Sequence, residues 1–412
     1  TLREYGQQRL EETQRAGIVS GRHFTYFLNF AEQAEPLLRG SQQAEWLDRL
    51  RTEQDNLRAA LTWGSKMAAE RAAPKGEWAA QSLRLTGVVC RFWELQGYLD
   101  EGRRWAEQVL ALPDAEAPTM LRAEVLSGVG SLADEQGDYA AARTFLEESL
   151  VIWRRLDDRA GIAKTLKDLG NVACHLGDDA AAQALYAESQ LVYRELGDLW
   201  GISATAANLG VLAQNRSDYQ AAIGYYSESL AAFRQLGDLW ATAVALNNLG
   251  LVHMKQGDYA TAHPLLAESI AIARELEDQQ GIAYALQNQG ELAYRTSDYP
   301  LSQRLYTESL TIRAKTEDKE GIVTSIESLA LLAKASGDAM KAVQLFGAAA
   351  ALRLGIHAPL PSDETADYAA QLAALRMAVG TAEYDAGWQR GQSMTWQQAV
   401  ALALKRTPPG RG

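Results

Sequence analysis

The feature that most limits the fold of this chain is a period of forty residues. Written in rows of forty, its middle aligns without a gap: Gly130, Gly170, Gly210, Gly250 and Gly290 share a column that ends in Ala330. Seven residues on lies a turn, Gly137-Asp138, Gly177-Asp178, Ser217-Asp218, Gly257-Asp258, Ser297-Asp298 and Gly337-Asp338. Glu148-Ser149, Glu188-Ser189, Glu228-Ser229, Glu268-Ser269 and Glu308-Ser309 recur at the same interval. A phase held over six rows means stacked copies of one supersecondary unit, each burying its neighbour's apolar face.

Each column has a physical job. Glycine or serine ahead of the aspartate ends one helix, glycine at no steric cost in the left-handed conformation. The aspartate then caps the next helix by accepting from its free amides. A second set of caps, Asp158, Asp198, Asp238, Asp278 and Asp318, divides each repeat again. Two caps per forty residues predict two antiparallel helices of roughly 15 to 17 residues, about 25 Å long. A mid-helix glycine costs about 1 kcal/mol of helix propensity, so its column marks where a bulky partner residue must fit. Ala142, Ala182, Ala222, Ala262 and Ala342 supply the matching small position, and Tyr186, Tyr226, Tyr306 and Phe346 the plugs.

These spacings resemble the tetratricopeptide repeat: a small residue, a turn tyrosine nine on, an alanine twelve on and an aromatic sixteen on. The departure is length, forty residues instead of thirty-four, which extends both helices. The phase reaches back to Gly97-Tyr98, Gly102 and Trp105. The expected fold is all-α: a right-handed superhelical solenoid of about seven helix pairs over residues 79–354, first helices on the concave side, with helical N- and C-terminal caps. Residues 1–78 form three or four helices outside the phase, with 66–78 as a loop. Pro359 and Pro361 break the array, Asp363–Val379, Thr381–Gly391 and Thr395–Lys405 form the helices of a cap over 355–406, and 407–412 is a disordered tail.

Composition narrows the function. The chain has 412 residues, 47% hydrophobic and 22% charged, which suits a folded core. A net charge of −12 repels polyanions and argues against direct nucleic-acid binding. Two cysteines, Cys90 and Cys174, make no disulfide framework and fit a reducing compartment. No run of 18 apolar residues and no secretory pattern in the charged start point to a cytoplasmic protein without a membrane span. There is no G-x-x-x-x-G-K-[ST] and no H-E-x-x-H, and the five histidines form no catalytic or metal-ligand spacing. His253 takes the column of Ala173, Ala213 and Ala293, as a packed helix-face residue does. The expectation is a protein that is not an enzyme and has no cofactor or metal.

The flanks carry a second resemblance. Thr1-Leu2-Arg3-Glu4-Tyr5 with Arg9-Leu10 is similar to the end of the winged-helix segment of bacterial signal-transduction ATPases of the STAND class (NB-ARC/LuxR-type). Arg22-His23, Tyr26-Phe27, Trp46-Leu47 and above all the block Glu53–Leu61 resemble the helices that open the sensor region there. Phe92-Trp93, Glu101–Trp105, Leu345–Ala349 and Ala358–Pro361 extend the likeness. It implies a repeat domain that recognises an inducer or partner and so releases an ATPase lying N-terminal to it, the chain being a C-terminal fragment, monomeric when isolated. The rival is a free-standing tetratricopeptide adaptor that binds peptide segments of partner proteins, like the forty-residue-repeat polarity scaffolds that also carry Leu169-Gly170-Asn171.

In a tetratricopeptide unit, positions −6, −3, +1, +4 and +5 from the small residue face the groove. They collect seven bases, including Arg84, Arg91, Lys164, Lys167, Lys255, Arg295 and Lys334, against six acids, Glu94, Glu124, Asp134, Glu135, Glu291 and Glu327. The groove is therefore the surface least repulsive to an anion, with an acidic second unit and a basic third unit that includes His175. Asn171, Gln214, Asn215, Asn247, Met254, Tyr284, Gln287 and Tyr294 add amides, aromatic faces and a thioether. Amides pair with an extended backbone and tyrosines bind with little entropy loss. A protein or peptide, or a small-molecule inducer, is the expected occupant.

Overall fold

A computed structural model describes residues 15–70, 76–356, 360 and 365–405. Those residues contain no strand. Outside them fall the Thr1–Leu10 motif, the Pro359 and Pro361 break and the 407–412 tail. Three helices precede the repeats: α1 (Ala16–Ala34), then after a 3-10 turn (Glu35–Leu38) α2 (Gln43–Thr52) and α3 (Gln54–Ala69). Helix α3 persists to Ala69, so the loop expected over 66–78 begins helically.

Seven helix pairs follow: α4 (Glu77–Leu95) and α5 (Leu99–Leu110), α6 (Met120–Glu135) and α7 (Tyr139–Leu156), α8 (Arg159–His175) and α9 (Asp179–Leu196). Next come α10 (Leu199–Asn215) and α11 (Tyr219–Leu236), α12 (Leu239–Lys255) and α13 (Tyr259–Glu275), α14 (Gln279–Arg295) and α15 (Tyr299–Thr316), α16 (Lys319–Ala335) and α17 (Ala339–Ile356). Three more, α18 (Thr365–Val379), α19 (Thr381–Gln392) and α20 (Trp396–Leu404), end the described chain. The result is an all-α tandem-repeat, tetratricopeptide-like solenoid. It divides into two compact units, Thr1–Leu249 and Gly250–Gly412.

The columns do what their chemistry dictates. Asp138, Asp178 and Asp218 each accept from the amide three residues on, at 3.2, 3.0 and 3.1 Å. Asp158 and Asp198 cap the alternate helices at 2.7 and 3.0 Å. A Cβ on Gly170 would lie 2.5 Å from the Tyr186 ring, and one on Gly210 2.7 Å from Tyr226, so the small column seats the aromatic plugs. In the second unit Gly290 does the same for Tyr306, at 2.7 Å. The serine column, unexplained by spacing, sews each pair together: Ser149, Ser189, Ser229 and Ser309 donate to carbonyls 26 residues back, at 2.7 to 2.9 Å. Only Ser217 and Ser297 break the glycine run at the turns, and both still adopt positive φ, 59° and 63°.

In the first unit α1 packs on α3 and α4 through Phe24, Trp63 and Trp78, with ring centroids 4.4 to 6.0 Å apart. Arg58 of α3 grips Glu101 of α5 with two hydrogen bonds of 2.6 Å, which gives the Glu53–Leu61 block a structural role. In the second unit α17 packs against α16, α19 and α20. Helix α17 is long and apolar enough by composition to cross a membrane, although Lys341, Gln344 and Arg353 interrupt its apolar run. Its Val343, Leu345, Phe346, Ala348 and Ala349 are buried in that unit's core.

Candidate functional site

The candidate groove residues of the first unit sit on the exposed sides of α8, α10 and α12, but that surface is not empty. The segment from Glu35 to Gln43 lies across it. Pro36 starts the 3-10 turn, and Gly40, at φ 119°, bends the chain as only glycine does without strain. Gly40 and Gly237 let two backbones meet: Cβ atoms there would come within 3.4 Å of the Leu236 carbonyl and 3.1 Å of the Ser41 amide nitrogen.

Gln43 locks the contact. Its side chain is fully buried, donates to Asp238 (3.3 Å) and the Leu38 carbonyl (2.8 Å), and accepts from the Trp240 amide (2.8 Å). Asp238, also fully buried, accepts from the Trp200 indole at 2.8 Å while capping α12 through the Ala241 amide. Arg39 lies over the Trp200 ring at 4.1 Å, and burial together with the nearby Arg91 charge lowers its pKa. Arg91 of α4 stacks on Trp240 at 4.8 Å and pairs with Glu94 at 2.9 Å. Burial pushes the Glu94 carboxyl up, but Arg91 overrides it and leaves it below the ordinary carboxylate range. One short segment thus touches α4, α10 and α12, so the first helices of this unit curve around it.

The sequence missed this site. Its contacts span 195 to 197 residues and follow no period. The available signal was weak: Asp238 belongs to a cap column, and Trp200 and Trp240 share a repeat position.

The residues singled out for ligand contact have partners of their own. Asn171 accepts from the Tyr186 hydroxyl (3.0 Å) and from Asn208 (2.6 Å), and Gln214 accepts from the Tyr226 hydroxyl at 3.4 Å. These amides satisfy the buried plugs. Asn215 reaches the Cys174 sulfur at 3.6 Å, and Asn247 is half-buried. Lys167 pairs with its neighbour Asp168 within the third unit, and His175 reaches Asp134 of the second at 2.8 Å. Lys164 is exposed, and the Glu94 and Glu124 carboxylates lie near enough to feel its charge.

In the second unit, Met254 is buried in a cluster with Ala262, Leu266 and Leu292, and cannot meet a ligand. Gln287 is buried too, donating to Ser328 (2.7 Å) and accepting from Ser325 (3.0 Å). Met254 packs on its own pair's second helix and on Leu292 of the next pair, and Gln287 bonds the next pair's first helix, so both positions face neighbours instead of the groove. Tyr284 is 45% exposed and lies 5.0 Å from the buried Arg313 guanidinium. Tyr294 packs on Tyr299, Arg295 pairs with Glu291 at 2.8 Å, Lys334 donates to Gln371 at 2.5 Å, and Lys255 is half-buried.

Nucleophile chemistry is poorly served. Burial pushes the Cys90 thiol to about 12 and Cys174 to about 11, which suppresses the thiolate. His253 pairs with Asp258 at 3.2 Å on its helix face. Among the described residues no cluster of histidine, cysteine and carboxylates could hold a metal ion.

The tetratricopeptide-repeat family model matches residues 121–195 and 202–275. No curated protein sequence matches the chain. Among solved structures, it resembles a Rap protein complexed with competence and sporulation factor (13% identity, TM-score 0.59, 94% of this chain and 99% of that one). It also resembles the Rap conjugation gene regulator of plasmid pLS20 in complex with the Phr* peptide (12% identity, TM-score 0.57, 82% and 96%). A third likeness is to a STAND signal-transduction ATPase with a tetratricopeptide-repeat sensor from Pyrococcus horikoshii (12% identity, TM-score 0.51), of which this chain covers 54% while 86% of itself is matched. At such identities these likenesses establish a shared fold, the tandem tetratricopeptide-like solenoid.

Proposed function

We propose that this chain is a non-catalytic sensing arm whose first-helix face, in residues 1–249, binds a peptide or protein segment, and that it serves a STAND-type signalling ATPase or transcriptional regulator. One observation carries the reading: that face already holds a polypeptide, its own residues 35–43, through backbone approach at Gly40 and Gly237 and through Gln43. A surface that grips a chain segment in cis can exchange it for one in trans, and exchange frees the N-terminal helices that the segment tethers. The STAND resemblance of the flanks and the sensor described in the Pyrococcus ATPase support the regulatory role. The Rap structures, solved with a factor and with a peptide, support the class of occupant.

A second reading, a free-standing peptide adaptor, draws on the 99% coverage of the Rap chain, which includes the helices before the repeats. The coding sequence upstream of Thr1 separates the two: a P-loop ATPase there favours the sensing arm, and a nearby start codon the adaptor.

Peptide binding is tested with a fluorescent peptide of the sequence spanning residues 33–45. The double variant Arg39→Ala/Gln43→Ala vacates the face without touching a repeat column. It should bind the peptide at least tenfold more tightly than the wild type, whose tethered copy competes at an effective concentration in the millimolar range. A variant that keeps its circular dichroism but binds no better than wild type would sink the reading.

A further inference from the structure

The contact that holds residues 35–43 on the first-helix face is chemically selective. The Trp240 amide lies in the first turn of α12, where the helix itself offers no acceptor. Gln43 Oε1 answers it at 2.8 Å. Gln43 Nε2 gives one hydrogen to the Asp238 carboxylate at 3.3 Å and the other to the Leu38 carbonyl at 2.8 Å. Gln43 and Asp238 are both fully buried.

One planar group therefore accepts once and donates twice inside a closed slot. A primary carboxamide does this. A carboxylate has no hydrogen for Asp238 and adds a like charge, a guanidinium offers Trp240 no acceptor, and a thioether has no hydrogen to give. A rival side chain leaves buried polar groups short of partners, which costs more than an average hydrogen bond contributes. Asparagine carries the same group but ends one methylene short.

A second mark lies four residues earlier. The Arg39 guanidinium sits 4.1 Å above the Trp200 ring, and the indole of that tryptophan donates to Asp238 at 2.8 Å. Trp200 thus serves both contacts, with its face for the cation and its N–H for the carboxylate that meets the carboxamide. Gly40, at φ 119°, supplies the bend between them.

We propose that the first-helix face of residues 1–249 selects segments of the form Arg-Gly-x-x-Gln, and that its partner in trans is a protein segment mimicking this chain's own residues 39–43. The inference rests on the peptide-binding reading above and adds what the partner must carry: a glutamine for the slot at Asp238 and Trp240, and an arginine for Trp200. Selectivity arises as a difference between occupants, because a segment without the carboxamide leaves the slot unsatisfied.

The test is a competition series on the Arg39→Ala/Gln43→Ala chain, in which unlabelled single-site variants displace the labelled 33–45 peptide. A Gln43→Met peptide, similar in length but without the amide, should bind about tenfold more weakly or worse. Gln43→Glu should be weaker still, because its charge meets Asp238. Arg39→Ala in the peptide should cost about threefold, a loss that vanishes on a chain also carrying Trp200→Leu. The same order is expected in cis: deuterium uptake over residues 35–43 of the full chain should rise from wild type to Gln43→Met to Gln43→Glu. A Gln43→Met peptide that competes like the parent overturns the selectivity while peptide binding stands. A labelled peptide that never binds sinks the peptide-binding reading and the partner with it. The slot is then judged in cis, where equal uptake in all three chains overturns its selectivity.

Discussion

The two units of this chain are built from the same repeat but are covered by flanks of opposite character. In residues 1–249 the flank crosses the first-helix face with buried polar groups, Gln43 and Asp238, and leaves a charged cavity beneath. In residues 250–412 the flank packs α19 and α20 on α17 with glycine-tight and mainly apolar contact, joined by the buried Lys341 amine, which donates to the Ala403 and Lys405 carbonyls. A Cβ on Gly347 would lie 2.6 Å from the Trp388 carbonyl oxygen. Polar cover can be exchanged, because water or a competing segment can replace its hydrogen bonds at modest net cost. Apolar cover resists exchange, because opening it exposes area worth about 25 cal/mol per Å². The repeat supplies the frame, and the chemistry of each flank decides whether its surface works as a switch or as a cap.

The largest effect that would break this comparison belongs to the cap. Gly391 of α19 sits against α17, where a side chain would run into the Gln344 carbonyl and come within 2.9 Å of the Ala348 amide nitrogen. Both obstacles are backbone and cannot rotate away. Gly391→Val should therefore cost about 3 kcal/mol, at the upper end for overpacking. Hydrogen exchange should rise across α19 and α20 and stay unchanged across residues 35–43. Wild-type exchange in α19 would show that this cap is as replaceable as the N-terminal cover.

An intermediate effect comes from acid. In the first unit, hydrogen bonds from Arg58 hold Glu101 below the ordinary carboxylate range, Arg103 does so for Asp138, and Arg91 overrides burial at Glu94. Folded values below the unfolded ones mean that this stabilisation is complete above the ordinary range near 4 and drains away as pH falls through the folded values. Glu124, pushed up by burial and by Glu35, works the other way but stands against Glu101 and Glu94, Asp138 being more exposed and adding little. In the second unit the depressed carboxylate, Asp258, is exposed and so contributes little. Acidification should loosen residues 1–249 first, read as exchange in α4 and α5 rising before exchange in α16 and α17. The reverse order would contradict the charge-paired description of the first unit.

How much of this was legible follows from what a period can encode. Caps, the glycine column and the plugs depend on contacts within a pair or between neighbours, so spacing reveals them: Gly170 faces Tyr186, sixteen residues away. The groove assignments fared less well, because exposure depends on which neighbour a helix face meets. Asn171 and Gln214 look like free amides in sequence but answer the hydroxyls of buried tyrosines. Met254 and Gln287 turned into the core for the same reason. The cover at Gln43 was invisible because it joins an aperiodic segment to three helix pairs by a different contact at each, and no column records a contact made once.

The smallest effect sharpens the comparison from the opposite side, where the units should agree. Ser189 donates to the Ala163 carbonyl at 2.7 Å in the first unit, and Ser309 to the Ala283 carbonyl at 2.8 Å in the second; both serines are fully buried. Alanine at either position removes one neutral hydrogen bond. It leaves no orphaned donor, since the donor itself is deleted, and the carbonyl keeps its place in the helix ladder. Each substitution should cost about 1 kcal/mol. Neither creates a large cavity, because only a hydroxyl is lost. Denaturant midpoints for Ser189→Ala and Ser309→Ala should shift by the same amount with an unchanged slope. Equal losses would locate the difference between the units in their flanks. If Ser189→Ala cost several-fold more, the polar cover at Gln43 would be coupled to the repeat beneath it, and the first unit would respond as one cooperative body.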